Sequence, residues 1–152
     1  MAWDPRGVGQ SDPHIDCVDS MDDYFGLDPS PDDESETQLL TSGAEVFATA
    51  CMTRSGEFLP YVSTMNTASD MDVLRRALNE EQISYLGFSY GTSLGATWAT
   101  LFPETVRAAV LDAAVDPTRG YVDDLILQAG GFEDSLNAFF TKCDVSGCSF
   151  MK

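Results

Sequence analysis

Basic residues are scarce in this sequence: 8 Lys and Arg stand against 25 Asp and Glu, a formal charge of -17. Counterion release at phosphates needs clustered cations, so no nucleic-acid partner is expected. Histidine is scarcer still, with His14 alone, and no Cys-x-x-Cys pair occurs among the four cysteines. Those gaps remove the usual zinc patterns, so neither a metal site nor a cofactor is expected. No apolar run is long enough to span a bilayer. Met1 leads into Ala-Trp-Asp-Pro-Arg, which has neither the basic leader nor the apolar core of an export signal.

What is present suits a globular domain: 152 residues, 43% hydrophobic, are enough to bury one core. The negative charge is unevenly placed. Ten carboxylates and no Lys or Arg fall between Asp12 and Glu36, around Asp28-Pro29-Ser30-Pro31. This acidic stretch, about residues 12–36, reads as a solvated excursion without regular structure, and the charge as a device for solubility.

Cys17, Cys51, Cys143 and Cys148 can pair in three ways. Cys143 to Cys148 forms a natural local loop, which leaves Cys17 with Cys51. Two disulfides would suit an extracellular or envelope protein, whereas four reduced thiols would suit a cytosolic one; both readings stand at this level.

Along the chain, Ala2 to Ser11 reads as the end of a buried strand followed by a Pro/Gly turn, with the strand's beginning upstream of Met1. Helical spacing of Leu39, Leu40, Ala44, Val46, Phe47, Ala50 and Cys51 predicts an amphipathic helix from Glu36 to about Thr53 with a core-facing stripe. Phe58 to Thr64 reads as extended. A second helix is expected to be capped within Asn66 to Asp70 and to turn Met71, Val73, Leu74, Ala77 and Leu78 inward. Gln82 to Phe88 and Arg107 to Asp112 read as strands, joined by a helix from about Tyr90 to Phe102 that Pro103 stops; strand, helix and strand form a parallel βαβ unit. Gly91, Gly95 and Ala99 recur every four residues, giving that helix a small face for close approach to the sheet. Tyr121 to Lys142 is helical in pattern with a break at Gly130-Gly131.

The chemistry centres on Tyr85-Leu86-Gly87-Phe88-Ser89-Tyr90-Gly91-Thr92. A serine between two glycines at a strand-to-helix junction is the pattern of a nucleophile elbow, in which a sharp turn lifts the hydroxyl clear of the sheet. Gly87 and Gly91 fall where side chains are expected to collide, and the Tyr90 amide, at the helix start, is a candidate oxyanion donor. His14 precedes Ser89, inside the acidic stretch, and reads as a surface residue. Asp112 and Asp116 follow the second strand, where loop capping or pairing with Arg119 is the default role.

Five motifs appear in order: Asp4-Pro5-Arg6-Gly7-Val8-Gly9-Gln10-Ser11; Asp70-x-x-x-Leu74-Arg75-x-x-Leu78; Gly87-Phe88-Ser89-Tyr90-Gly91-Thr92-x-Leu94-Gly95-Ala96; Leu101-Phe102-Pro103; and Val110-Leu111-Asp112-x-x-x-Asp116-Pro117. Together they resemble the branch of the α/β-hydrolase superfamily that contains secreted actinobacterial tripeptidyl aminopeptidases and related carboxylesterases, and the cysteine placement is similar to that branch as well. The resemblance implies an α/β fold, a partial α/β-hydrolase core over 1–152 with a parallel sheet and flanking helices, its N-terminal strands and C-terminal catalytic part missing, and the start of a lid region at about 117–152. It implies a secreted or envelope serine hydrolase that cleaves peptides from a free N-terminus, or esters, through an acyl-enzyme on Ser89. The chain order of such enzymes places the acid and histidine after the nucleophile, and neither is identified here. The chain alone is therefore expected to be nearly inert. The alternative is a non-catalytic remnant serving as a binding or interaction module.

Overall fold

A computed structural model describes residues 2–116, 118–146 and 148, the side chain of Ser146 excepted. It divides into two compact units, Met1–Ala114 and Val115–Lys152. The first unit holds a short helix α1 (Asp22–Phe25), a long helix α2 (Glu34–Ser55), helix α3 (Thr64–Ala77), strand β1 (Ile83–Phe88), helix α4 (Tyr90–Leu101) and strand β2 (Val106–Asp112). The second unit holds helix α5 (Tyr121–Ser146). Among the described residues, no helix is long and apolar enough to cross a membrane.

The centre of the first unit is the βαβ unit. β1 and β2 pair in parallel, from Ser84 opposite Ala108 to Phe88 opposite Asp112, with an irregularity between Ile83 and Ser84. α4 buries Thr92, Leu94, Gly95 and Trp98, and α3 buries Thr67, Ala68, Met71 and Asp72. Ala68, Met71, Leu94 and Trp98 form the core, with Trp3, Ile83, Tyr85, Phe102 and Val106 packed around it. One face of the sheet carries α4 and the other stays bare: Leu86, Phe88 and Val110 on it are each about three-fifths exposed, whereas parallel sheets are ordinarily covered on both faces.

Several boundaries differ from the sequence reading. α3 begins at Thr64, because the Ser63 hydroxyl accepts from the Asn66 amide at 3.2 Å and caps the helix two turns' distance ahead of Asp70. The segment before it contains a turn of 3₁₀ helix at Leu59–Tyr61 instead of an extended run. Val73 and Leu78 are half exposed, so the inward stripe of α3 is narrower than expected. α2 starts at Glu34, where the Asp33 carboxylate accepts from the Glu36 amide and the Glu36 carboxylate accepts from the Asp32 amide. Its apolar stripe is covered only in part, and by the excursion: Leu39 and Val46 are more than half exposed, Leu40, Phe47, Ala50 and Cys51 are partly buried with Phe47 stacked on Tyr24, and Ser55 is its one buried residue among those described.

The N-terminal stretch and the acidic excursion also depart from expectation. Residues 2–11 contain no strand, only a bridge from Gly7 to His14; Trp3 instead packs beside the core. Asp4 organises the turn, accepting from the Gln10 amide at 2.8 Å, and Gly7 and Gly9 take positive φ of 82° and 59°. A Cβ on Gly9 would lie 2.3 Å from the Asp4 carboxylate, so glycine is required there. The excursion is not structureless: it contains α1 and is fastened to α2 by the Cys17–Cys51 disulfide and by Arg54, which pairs with Asp19 at 2.7 Å. The second disulfide joins Cys143 and Cys148. α5 runs unbroken through Gly130 and Gly131, where two glycines cost about 1 kcal/mol each against alanine without ending the helix.

Candidate active site

Ser89 stands between β1 and α4 with φ 49° and ψ -120°, a conformation in which an L-residue is strained and which persists only where neighbours fix it. Its amide donates to the Asp112 carbonyl at 3.1 Å, extending the parallel ladder one residue past β1. Its carbonyl accepts from the Thr92 amide at 2.8 Å and from Thr92 Oγ1 at 2.6 Å, closing the first turn of α4. Ser89 is exposed, so its hydroxyl is open to solvent and to small reagents.

The flanking glycines differ from each other. A Cβ on Gly87 would meet the Gly91 carbonyl at 2.5 Å, so a side chain is excluded by backbone. At Gly91 the nearest atom to such a Cβ is Tyr85 Oη at 3.5 Å, an ordinary contact, so the expected collision is absent there. The tight place lies one turn later. A Cβ on Gly95 would stand 2.4 Å from the Tyr85 ring and 2.9 Å from Leu111 Cδ2, which is the close helix-to-sheet approach that the small face of α4 anticipates.

Tyr90, the first residue of α4, has an amide among the donors that lie ahead of the first intrahelical bond. The positive end of the helix dipole falls at the same point. Its phenol hydroxyl shares a 2.8 Å hydrogen bond with Thr64 Oγ1, at the start of α3. Tyr85 donates to the Gly91 carbonyl at 2.7 Å, and burial pushes its phenol above the ordinary tyrosine range, so the donor proton is retained. Sequence reasoning did not single out Tyr85, although strand alternation puts it on the same face as Gly87 and Ser89.

A second connection also went unread. Arg6 forks onto the Asp70 carboxylate, with Nε to Oδ2 at 2.7 Å, and donates from Nη1 to the Tyr61 carbonyl at 3.0 Å. The hydrogen bond to Asp70 raises the Arg6 pKa, keeping the guanidinium charged. The two motifs that carry Arg6 and Asp70 are thus one structural unit, 64 residues apart in sequence.

The other candidate residues lie elsewhere. His14 is exposed in the segment bridged to Gly7, and among the described residues no hydrogen bond joins it to Ser89. Asp112 offers Ser89 its backbone carbonyl. Asp116 accepts from the Thr118 amide and hydroxyl at 2.9 and 2.7 Å and pairs with Arg119 at 3.8 Å, and the Thr118 bonds hold its carboxyl below the usual range. Among the described residues, no cluster of three or more His, Cys, Asp or Glu could hold a metal ion.

Comparison with known proteins agrees with the βαβ geometry. The family model of the alpha/beta hydrolase fold matches residues 1–149. A tripeptidyl aminopeptidase of Streptomyces lividans is 47% identical over 121 residues, covering 78% of this chain and 22% of the relative. The serine protease Hip1 of Mycobacterium tuberculosis is 38% identical over 146 residues, covering 94% of this chain and 28% of its own length. A carboxylesterase B of Mycobacterium tuberculosis is 38% identical over 148 residues, again covering 94% and 28%. The chain therefore spans about a quarter of the length of these relatives. With the family match running over nearly all of the sequence and a strained serine seated between a parallel strand and the helix that follows it, this chain belongs to the α/β-hydrolase fold family.

Proposed function

We propose that Ser89 is the nucleophile of a serine hydrolase that cleaves peptide bonds near a free N-terminus, or ester bonds, outside the cytoplasm. The observation that carries this reading is the backbone of Ser89, a positive-φ residue at a strand-to-helix turn with its hydroxyl exposed. The Tyr90 amide is the proposed oxyanion donor, aided by the dipole of α4. The names of the relatives, a peptidase, a serine protease and a carboxylesterase, support the substrate class, and the two disulfides support an oxidising compartment. Residues from about 117 onward, including α5, are read as the start of a lid.

Among the described residues no side-chain base is hydrogen-bonded to the Ser89 hydroxyl, so it stays a neutral alcohol and turnover is expected to be negligible. Because the hydroxyl is open, a diffusible base can substitute. A fluorophosphonate is expected to label Ser89 at a rate that rises with added imidazole, as read by intact mass, and the adduct is expected to vanish in Ser89→Ala. A wild-type chain that stays unlabelled at every imidazole concentration would sink the nucleophile reading. That outcome would favour the second reading, an interaction module, to which the bare apolar sheet face of Leu86, Phe88 and Val110 already lends weight.

A further inference from the structure

The glycines around Ser89 leave a slot between β1 and α4, and one side chain occupies it. Tyr85 lies two residues before Gly87 and four before Ser89 on β1. A Cβ on Gly87 would come within 2.7 Å of its ring, and one on Gly95 within 2.4 Å. The ring thus fills space that alanine at either position would need. From the slot, Tyr85 Oη reaches the Gly91 carbonyl at 2.7 Å. That carbonyl lies in the same first turn whose other groups are also held: Ser89 by the Asp112 carbonyl and by Thr92, and the Tyr90 hydroxyl by Thr64. Thr92, buried in α4, closes the turn from the helix side, and Tyr85 holds it by packing and by a hydrogen bond from β1, the strand that leads into Ser89.

We propose that Tyr85 is a positioning residue for the reaction at Ser89: its ring sets the spacing of β1 and α4, and its hydroxyl fixes the first turn of α4 so that the Tyr90 amide faces the developing oxyanion. This rests on Ser89 being the nucleophile. It goes beyond that reading by giving a role to a residue outside the Gly-x-Ser-x-Gly pentapeptide. Burial keeps the phenol protonated and therefore able to donate. The Tyr85 ring also lies beside the core, its centroid 5.9 Å from that of Trp98, so the informative substitution is one that keeps the ring and removes only the hydroxyl.

The test uses the 152-residue chain with Tyr85→Phe, which keeps the ring and removes Oη. Ile83→Val serves as the control, since it trims the same strand where it packs on the core without touching the turn. Two quantities are measured: amide hydrogen exchange over residues 89–94, and fluorophosphonate labelling of Ser89 with imidazole, resolved into a limiting rate and a half-saturating concentration. Tyr85→Phe is expected to speed exchange about five-fold and to lower the limiting rate about five-fold at unchanged half-saturation, the size of one lost hydrogen bond. Ile83→Val is expected to leave the labelling rate unchanged. Unaltered exchange in Tyr85→Phe would overturn the role of the hydroxyl, and faster exchange with an unaltered labelling rate would overturn its link to the chemistry. A wild-type chain that never labels removes Ser89 as nucleophile and overturns the catalytic part, while exchange still decides whether Tyr85 holds the turn.

Discussion

The Ser89 turn and the acidic excursion are both irregular pieces of backbone, yet they are held by opposite means. The turn is fixed by sterics and short hydrogen bonds: a Gly87 with no room for a Cβ, a Tyr85 ring in the slot, and ladder and helix bonds on either side of Ser89. The excursion is held by cross-links to α2, through the Cys17–Cys51 bond, the Arg54 pairs with Asp16 and Asp19, and the Ser55 hydroxyl bonded to the Asp16 backbone. A dense local fit keeps a strained φ in place, which a tether cannot do. A tether can keep a charged, poorly packed segment near the fold at little cost in packing.

Cutting the tether should have the largest effect on stability. Cys17 and Cys51 are 34 residues apart, and loop-closure entropy puts their link at about 3–4 kcal/mol. Cys17→Ser with Cys51→Ser is expected to lower the unfolding free energy, read from chemical denaturation, by that amount. Hydrogen exchange should then rise most across residues 12–33 and less in β1 and α4; an equal rise in both regions would show that they are not independent. Next comes Gly87→Ala, which forces a Cβ onto the Gly91 carbonyl and should cost about 2–3 kcal/mol in chemical denaturation. Gly91→Ala meets only an ordinary contact and should be neutral or up to about 1 kcal/mol stabilising, as glycine leaves a helix. Equal losses at both glycines would mean the turn is not held where the geometry places the constraint.

Backbone strain at Ser89 gives a smaller signal. Ser89→Gly should be about 1 kcal/mol more stable than Ser89→Ala, because both lack the hydroxyl and only glycine accepts φ 49° easily. The smallest effects concern pH and divide the two regions again. Arg54's hydrogen bond lowers the Asp19 pKa, so the excursion's contribution is present above the ordinary aspartate range near about 4 and is lost as pH falls through the lowered value. Burial raises the Tyr85 pKa, so its contribution is complete below about 10 and is lost as pH rises through the raised value. Asp19→Asn should flatten only the acid limb of a stability profile, and Tyr85→Phe only the alkaline limb.

Much of the central unit was legible because its signals are local. Two apolar segments bracket a Gly- and Ala-rich one ended by Pro103, and glycine spacing marks both the Ser89 turn and the close approach at Gly95. The misreadings share a cause. The stripe of α2, the start of α3 and the break at Gly130-Gly131 were judged from propensity and periodicity, which do not say what a face packs against or which of several Ser, Thr and Asn residues will cap.

The sequence by itself determined the βαβ order, the seat of Ser89 at its turn and the chain's family, because those follow from nearest-neighbour chemistry and from ordered motifs. The tertiary structure decided that Arg6 grips Asp70, that the Tyr85 ring fills the slot left by Gly87 and Gly95, and that Gly87 is sterically obligatory while Gly91 is not. Those facts depend on distances between segments that only packing brings together.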